Sequence, residues 1–468
     1  MKSVHSTDQL DAIRPRGERD ARPAPARLAR RAQRGGLRST PGFVLSLALA
    51  AVLAGAAQAQ QDELTGTLRA TGARRVALAV PPTEAGTGAG LTGAAEVFRV
   101  LRDDLEFSGW FGLLDPRGEG RIAAGRLADA RAWREVGAAY LATSRLESLG
   151  DRGRFTVRLV ETSAGEELLH KTWGGALPGD LRRLAHVAGD AIVEALTGRP
   201  GIAQTRLSFV SVHGEGKEVY LMDYDGARVR RLTSTGTINL SPSWSPDGRR
   251  LTFLSYLDRK PSIYLLDEDG TVTTLHPKGG DLNAAPDFAP DGQSLVFSSD
   301  RDGNTELYLY ELATGRETRL TRHPAIDIAA CWAPDGRRIA FTSDRSGSPQ
   351  IYVMSRDGSE TTRLSWQGGY NESAAWSPDG TRIAFVSRIA GRFEIVLHEL
   401  ATGRETIITS GPGNKENPRW APDGRHLVFS GNRDGEYAIY TIRDDGTDVR
   451  RLTRGAPAET PDWSPPRS

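Results

Sequence analysis

The hydrophobic pattern after residue 206 has a period of two. Five-residue stretches such as LTFLS at 251, IAFTS at 339 and LVFSG at 427 alternate large apolar residues with small or polar ones. Turn residues (glycine, proline, asparagine and aspartate) bound each stretch. This alternation predicts short β-strands, and the absence of helical periodicity in the same region predicts an all-β domain.

The predicted strands recur with a fixed period. An aromatic residue, in most copies followed by Ser/Ala-Pro-Asp-Gly, occurs six times with spacings of 44, 44, 44, 44 and 43 residues, at Trp244, Phe288, Trp332, Trp376, Trp420 and Trp463. Four strand patterns fit within each repeat, and the Pro-Asp-Gly segment supplies a tight turn after the first strand. Four antiparallel strands in about 44 residues are typical of a propeller blade.

The number of repeats predicts how the ring closes. Second, third and fourth strands also occur before the first aromatic repeat, beginning with LSFVS at 207, whereas the aromatic strand at Trp463 has no strands after it. Pairing the Trp463 strand with the 207 strand completes six blades. The sequence therefore predicts a six-bladed β-propeller over residues 206–468, in which one blade takes strands from both chain ends.

Residues 75–197 have a different pattern and predict a small α/β domain. Strand patterns occur at 75–81, 138–148, 154–161 and 167–173, and amphipathic helices begin at Leu91 and Leu181. Glycines and a proline at 198–201 predict a helix end, so residues 198–205 are expected to form a linker. The predicted fold is thus two-domain: an N-terminal α/β domain followed by the propeller.

The first 59 residues predict an export signal with a long basic leader. They contain ten Lys/Arg and four Asp/Glu, so the remaining residues carry a net charge of −5 against +1 for the whole chain. The uncharged run Phe43–Ala57 is too short to span a bilayer comfortably, and Ala57-Gln58-Ala59 fits cleavage after Ala59. We expect a periplasmic protein with a flexible N-terminus at 60–74; a retained membrane anchor is the alternative. The acidic balance argues against nucleic-acid binding and stable membrane insertion.

Motifs for catalysis and metal binding are missing from the sequence. There is no His-Glu-x-x-His, Cys-x-x-Cys, Gly-x-Ser-x-Gly or phosphate loop. The stretch DRDGNTELYLYE (300–311) resembles a calcium loop but lacks the glycine at its sixth position, which favours a hairpin. The single cysteine, Cys331, is expected to be a buried thiol. These features predict a non-enzymatic protein without cofactor or metal.

Candidate binding residues lie just before each aromatic residue, in the connections that should open at one mouth of the propeller channel. The residues five positions before the aromatic are Asn239, Asn283, Asp327, Asn371 and Lys415, and those four positions before it include Glu372, Glu416 and Glu459. Amides and carboxylates on a rigid ring predict a recognition surface. Ordinary solvated loop polarity is the alternative.

Taken together, the sequence resembles the TolB family, the periplasmic component of the Tol–Pal system of Gram-negative bacteria. The resemblance covers nearly all of the chain after the signal peptide. It rests on RVALAVPP (75–82), on AHVAGDAIVEALTGRPGIAQTRLSFV (185–210) and on the W[SA]PDG repeats. Peptidases of the prolyl oligopeptidase type carry similar repeats, but the order of α/β domain, linker and six blades is specific to this family.

The resemblance implies a protein–protein interaction scaffold that supports outer-membrane integrity and envelope constriction during cell division. The channel mouth would bind the lipoprotein Pal, and the family's mouth positions add Leu282 and Ile328, which are apolar where the family carries polar residues. The N-terminal region would bind TolA through an arm that includes Glu63, Leu64 and Leu68. Other outer-membrane proteins are further candidate partners, and a monomer is expected.

The competing class is an enzyme or a ligand-binding protein. A propeller-type hydrolase would need a nucleophile elbow and a further α/β domain, and the sequence ends five residues after Trp463. A periplasmic propeller that binds or processes a small ligand is the other alternative.

Overall fold

A computed structural model describes residues 75–466 except 89, 116–121, 268 and 276–278. The predicted signal peptide (1–59) and N-terminal segment (60–74) lie outside the described residues.

The α/β domain is a twisted sheet with two long helices. Its strands are β1 (Val76–Ala79), β2 (Glu84–Ala85), β3 (Phe111–Leu114), β4 (Tyr140–Leu149), β5 (Arg152–Glu161) and β6 (Glu167–Ala176). Its helices are α1 (Leu91–Phe107), α2 (Ala130–Glu135) and α3 (Leu181–Thr197), with a short 3-10 turn at Ala124–Arg126. The sheet order is β3-β1-β4-β5-β6, and β2 pairs with β4. The sequence pattern predicted neither β3 nor α2, because both are too short for periodicity to be visible.

The two long helices bury one apolar stripe each in the core of this domain. Leu101 and Leu105 of α1 and Leu184 and Ile192 of α3 are fully buried, together with Phe155 of β5. The helices therefore pack beside each other on the sheet, as their amphipathic patterns predict. Helix α3 ends where Gly198 takes a left-handed conformation with φ of 66°.

Six four-stranded antiparallel sheets follow, and we number them as blades. Blade 1 contains β10 (Asn239–Trp244), β11 (Leu251–Ser255), β12 (Ser262–Leu266) and β13 (Val272–Thr274). Blade 2 contains β14 (Asn283–Phe288), β15 (Ser294–Ser299), β16 (Glu306–Glu311) and β17 (Glu317–Arg319). Blade 3 contains β18 (Asp327–Trp332), β19 (Arg338–Ser343), β20 (Gln350–Ser355) and β21 (Thr362–Arg363).

The remaining blades complete the ring. Blade 4 contains β22 (Asn371–Trp376), β23 (Arg382–Ile389), β24 (Arg392–Glu399) and β25 (Glu405–Ile407). Blade 5 contains β26 (Lys415–Trp420), β27 (His426–Gly431), β28 (Ala438–Arg443) and β29 (Arg450–Arg451). Blade 6 combines β30 (Ala458–Trp463) with β7 (Arg206–His213), β8 (Gly216–Asp223) and β9 (Arg230–Arg231).

Blade 6 confirms the predicted closure. Strand β30 pairs antiparallel with β7, and Trp463 lies opposite Leu207. The Trp463 indole N–H also donates a hydrogen bond to Thr205 Oγ1 over 2.8 Å. The two ends of the propeller sequence are thus joined in one sheet, which removes an exposed strand edge from the ring.

The repeated aromatic residues pack between blades. Trp332 of blade 3 lies in one cluster with Leu320 of blade 2, and the Trp420 indole N–H donates to the Ala375 carbonyl of blade 4 over 3.1 Å. Arginines also lie over several of these rings, for example Arg382 over Trp420 at 4.7 Å. The repeated aromatic residues therefore hold neighbouring blades together.

Every first strand contains a bulge that the sequence pattern did not predict. The residue three positions before the aromatic has a positive φ of 46° to 55° in all six blades: Ser241, Ala285, Ala329, Ser373, Asn417 and Thr460. The pairing register with the second strand shifts at the same place in each blade. The bulge turns each first strand where the six strands line the channel.

The ring has two faces. Connections from fourth to first strands, and turns between second and third strands, form the face that we call the mouth face. Turns between first and second strands, and between third and fourth strands, form the far face.

The α/β domain contacts the far face at blades 5 and 6. Phe107, at the end of α1, stacks on His426 at a centroid distance of 4.4 Å, and its carbonyl lies 2.9 Å from His426 Nε2. Beside it, the Tyr224 hydroxyl of blade 6 donates to Asp104 of α1, whose carboxylate also lies 2.9 Å from His186 Nδ1 of α3. Burial raises the pKa of both Asp104 and Tyr224. Apolar stacking and a buried polar network thus join the two domains.

Candidate functional site

The predicted mouth residues are brought together at one end of the channel. Five of them begin a first strand, because β10, β14, β18, β22 and β26 start at Asn239, Asn283, Asp327, Asn371 and Lys415. The first strands line the channel, so these residues and their immediate neighbours encircle its opening on the mouth face.

The five strand-starting residues, which were predicted as part of a recognition surface, are buried. Their exposed fractions are only 0–4%. The Asn239 amide donates to Glu218 Oε2 over 2.9 Å, Asn371 donates to Gln350 over 2.8 Å, and Lys415 donates to Glu394 over 3.0 Å. The partners of these three lie in the third strand of the preceding blade.

The other two strand-starting residues are held within their own blade. Asp327 accepts two hydrogen bonds from Arg345, and Asn283 Oδ1 accepts one from Arg301 over 3.2 Å. A polar side chain buried in a propeller needs such partners, so all five residues bind neighbouring parts of the ring. A role of these residues in partner binding stays a prediction.

The residues four positions before each aromatic are partly accessible to solvent at the opening. They are half-buried and fall into two sectors, an apolar one with Leu240, Ala284 and Ile328 and an acidic one with Glu372, Glu416 and Glu459. The apolar sector belongs to blades 1 to 3 and the acidic sector to blades 4 to 6. Leu282, also predicted at the mouth, is half-buried just before β14.

Each glutamate of the acidic sector is held by a neighbouring side chain. The Tyr370 hydroxyl donates to Glu372 over 2.8 Å, and the Tyr437 hydroxyl donates to Glu416 over 2.7 Å. Glu459 forms an ion pair with Lys217. Burial raises the pKa of Glu372 and Glu416, and the charge of Glu372 adds to the rise at Glu416. Because Glu459 is paired with Lys217, the uncompensated negative charge of this sector lies mainly on Glu372 of blade 4 and Glu416 of blade 5.

Below the mouth, residues of all six first strands line a cavity of about 80 Å³, and one of them, Arg419, belongs to a layer of charged residues. Arg419 of blade 5 lies 3.7 Å from Asp462 of blade 6 and interacts electrostatically with Asp287 of blade 2, across the ring. Burial raises the pKa of Asp462 to about 6 and that of the neighbouring Cys331 thiol to about 12. Cys331 is 4% exposed, which confirms the predicted buried thiol.

This charged layer was not predicted from the sequence. Asp287, Arg419 and Asp462 each directly precede an aromatic residue of the repeat. The same position holds serine, cysteine or alanine in the other blades. The signal that could have revealed this layer is the presence of two acids and one base at a position next to a buried aromatic residue. Charged side chains at that position must pair with one another across the channel.

Other features of the described chain concern chemistry and membranes. Within the described residues no group of three or more His, Cys, Asp or Glu side chains is arranged to hold a metal ion. None of the helices in the described part of the chain combines the length and apolar character that crossing a bilayer requires. The predicted arm residues Glu63, Leu64 and Leu68 lie outside the described residues.

The fold and its opening define a class: a six-bladed propeller whose channel opens between an apolar and an acidic sector, joined to an α/β domain on its far face. The profile described as the TolB beta propeller domain matches residues 193–467, and that of the TolB amino-terminal domain matches residues 67–168. The chain belongs to the TolB family.

Individual relatives agree with this membership. The chain is 38% identical over 211 residues to the Tol-Pal system protein TolB of Geobacter sulfurreducens, covering 44% of this chain and 48% of the relative. It is 35% identical over 211 residues to the protein of the same name from Chromobacterium violaceum, covering 43% and 46%. The matched region thus spans about half the length of these relatives. The crystal structure of TolB from Acinetobacter baumannii matches with a TM-score of 0.75 and 28% identity, over 84% of this chain and 98% of that one.

Proposed function

We propose that this protein is a non-enzymatic scaffold of the Tol–Pal system, in the periplasm, and that its channel mouth binds the lipoprotein Pal. The proposal includes removal of the first 59 residues during export. It also includes a role in outer-membrane integrity and in envelope constriction at cell division. Membership of the TolB family and the names of its relatives support it.

The observation that carries the proposal is the shape and charge of the mouth. An apolar and an acidic sector surround an opening above a layer in which Arg419 interacts with Asp462 and Asp287. A shallow rigid opening of this kind favours a protein surface over a threaded chain, because the cavity beneath it is too small for a polypeptide. Half-buried glutamates oriented by tyrosines are ready to pair with basic side chains.

Removing the charge of the acidic sector tests the Pal contact. The double variant Glu372→Gln/Glu416→Gln keeps an oxygen that accepts from each tyrosine but removes both negative charges. We expect the Kd for the purified soluble domain of Pal to rise by about tenfold or more at low ionic strength, with a smaller effect at high salt. Isothermal titration calorimetry at two salt concentrations measures this.

A matched control removes two glutamates from the far face. Glu311→Gln/Glu399→Gln changes the same net charge at the far ends of β16 and β24. This variant should bind Pal as the wild type does. Absence of binding by the wild-type protein, together with turnover of a panel of hydrolase substrates, would refute the scaffold proposal.

We also propose that TolA binds the N-terminal region, including the segment 60–71 with Glu63, Leu64 and Leu68. The support is the family membership and the acidic-apolar composition of that segment. A protein lacking residues 60–71 should lose capture of TolA from solution while it keeps its affinity for Pal. Equal capture of TolA by both proteins would contradict the assignment.

A further inference from the structure

The mouth face also exposes large apolar side chains outside the acidic sector. Among the described residues of the propeller, Trp366 is 72% exposed, and a patch of four residues is 36–47% exposed: Val212, Ile238, Tyr256 and Leu257. All five lie in mouth-face connections or at the mouth end of a strand. Exposed tryptophan is costly to hydrate and is enriched where protein surfaces meet.

The four patch residues are connected through one backbone network. Val212 lies opposite Lys217 in the pairing of β7 with β8, and Lys217 forms a bridge with Ile238. The Tyr256 N–H donates to the Ile238 carbonyl over 3.0 Å, and Leu257 follows in the same turn. We call these residues the 6/1 patch, because they lie where blades 6 and 1 meet.

Trp366 is held in place although it is exposed. The Arg363 guanidinium lies over its ring at 4.7 Å, and Arg363 Nε donates to the Ser365 carbonyl over 2.6 Å. On the other side, the buried Asn371 amide donates to the Gln367 carbonyl over 2.7 Å. An aromatic side chain fixed in this way loses little conformational entropy when a partner covers it.

Trp366 and the 6/1 patch lie on opposite sides of the mouth. Trp366 belongs to the connection between blades 3 and 4, which is half a turn of a six-bladed ring from the junction of blades 6 and 1. We propose that both are apolar anchors for the partner that covers the mouth, so that one globular domain contacts Trp366, the glutamates and the 6/1 patch together. This inference rests on the proposed function, and it identifies the partner's surface as a basic centre flanked by two apolar regions.

The charges of the face favour this occupant over a second copy of the chain. Glu372 and Glu416 lie between the two anchors, and a second copy that placed its Trp366 against the 6/1 patch would bring its own glutamates against them. Like charges opposed in this way disfavour association. A partner with a basic centre meets the same surface favourably.

Binding of the soluble Pal domain to four variants tests the anchors. Trp366→Ala and Ile238→Ala/Leu257→Ala should each raise the Kd about tenfold or more, and the triple variant should raise it by the product of the two factors, because the anchors share no contacts. Leu149→Ala is the control, since Leu149 is 66% exposed on the α/β domain. Its Kd should equal that of the wild type.

Two readouts separate the possible failures. In one outcome, Glu372→Gln/Glu416→Gln weakens the binding of Pal, but Trp366→Ala and Ile238→Ala/Leu257→Ala leave it unchanged. That outcome would refute the apolar anchors without contradicting the proposed function. No binding by the wild type would overturn both. If Trp366→Ala changed only self-association in sedimentation, the face would be an interface between copies and the inference would be wrong. Protection of Trp366 from iodide quenching when Pal is added would support it, measured as the difference between wild type and Trp366→Phe.

Discussion

Asp190 of α3 fastens the linker between the two domains. Its carboxylate accepts hydrogen bonds from Ala203 N over 2.8 Å, from Gln204 N over 3.2 Å and from Gln204 Nε2 over 3.0 Å. Gly201 allows the close approach, because a Cβ there would lie 2.1 Å from Asp190 Oδ1. Burial raises the pKa of Asp190 to about 6 despite these donors.

The pKa of Asp190 predicts a pH dependence of stability. Because the folded protein holds this proton more tightly than the unfolded chain, whose carboxyl has a pKa near 3.8, protonation stabilises the native state as the pH falls through 6. Between pH 7 and pH 5 the wild type should gain about 1 kcal/mol in unfolding free energy relative to Asp190→Asn. Urea unfolding of both proteins at pH 5, 6 and 7 measures this difference. Parallel pH profiles would show that Asp190 does not titrate in this range.

At the scale of strands, the sequence predicted the second and third strands of each blade well. Their alternation places a buried phenylalanine opposite a tyrosine, as in the Phe253–Tyr264 and Phe341–Tyr352 pairs at centroid distances of 5.7 and 5.8 Å. Alternation of this kind depends only on neighbouring residues. It is therefore visible in a single sequence.

The first strands were harder to predict. Their bulge residue has a positive φ without being glycine, since the geometry of six converging strands imposes the conformation. The sequence did not show that Asn239 and Lys415, which were predicted as part of a recognition surface, belong to a buried layer above the bulge. Their partners, Glu218 and Glu394, each lie 21 positions earlier in the chain. That constant separation was the signal that could have revealed the layer.

At the scale of the whole molecule, the number of repeats predicted the six-bladed ring, whereas no sequence pattern predicted how the two domains contact each other. Phe107 and His426 are 319 positions apart, and neither belongs to a repeated motif. The contact between them depends on the shapes of two folded domains, which no local pattern describes. Apolar stacking and the Asp104 network are expected to couple the unfolding of the two domains.

Replacing Phe107 tests this coupling. Phe107→Ala removes a 2% exposed ring that contacts both Tyr224 and His426, so the α/β domain and the propeller should unfold in two separate transitions instead of one. Differential scanning calorimetry distinguishes the two cases. Phe98→Ala on the same helix is the control, because Phe98 packs within the α/β domain and should lower Tm without splitting the transition.

The closing strand of blade 6 also determines when, during synthesis of the chain, the ring can close. The Ser211 hydroxyl donates to the carbonyl of Pro457, a residue synthesised 246 positions later. While the chain is being made, β7 therefore lacks this neighbour until β30 has been added. The ring cannot close before β30 has been made, so a nascent chain that already contains blades 1 to 5 still exposes one edge of β7.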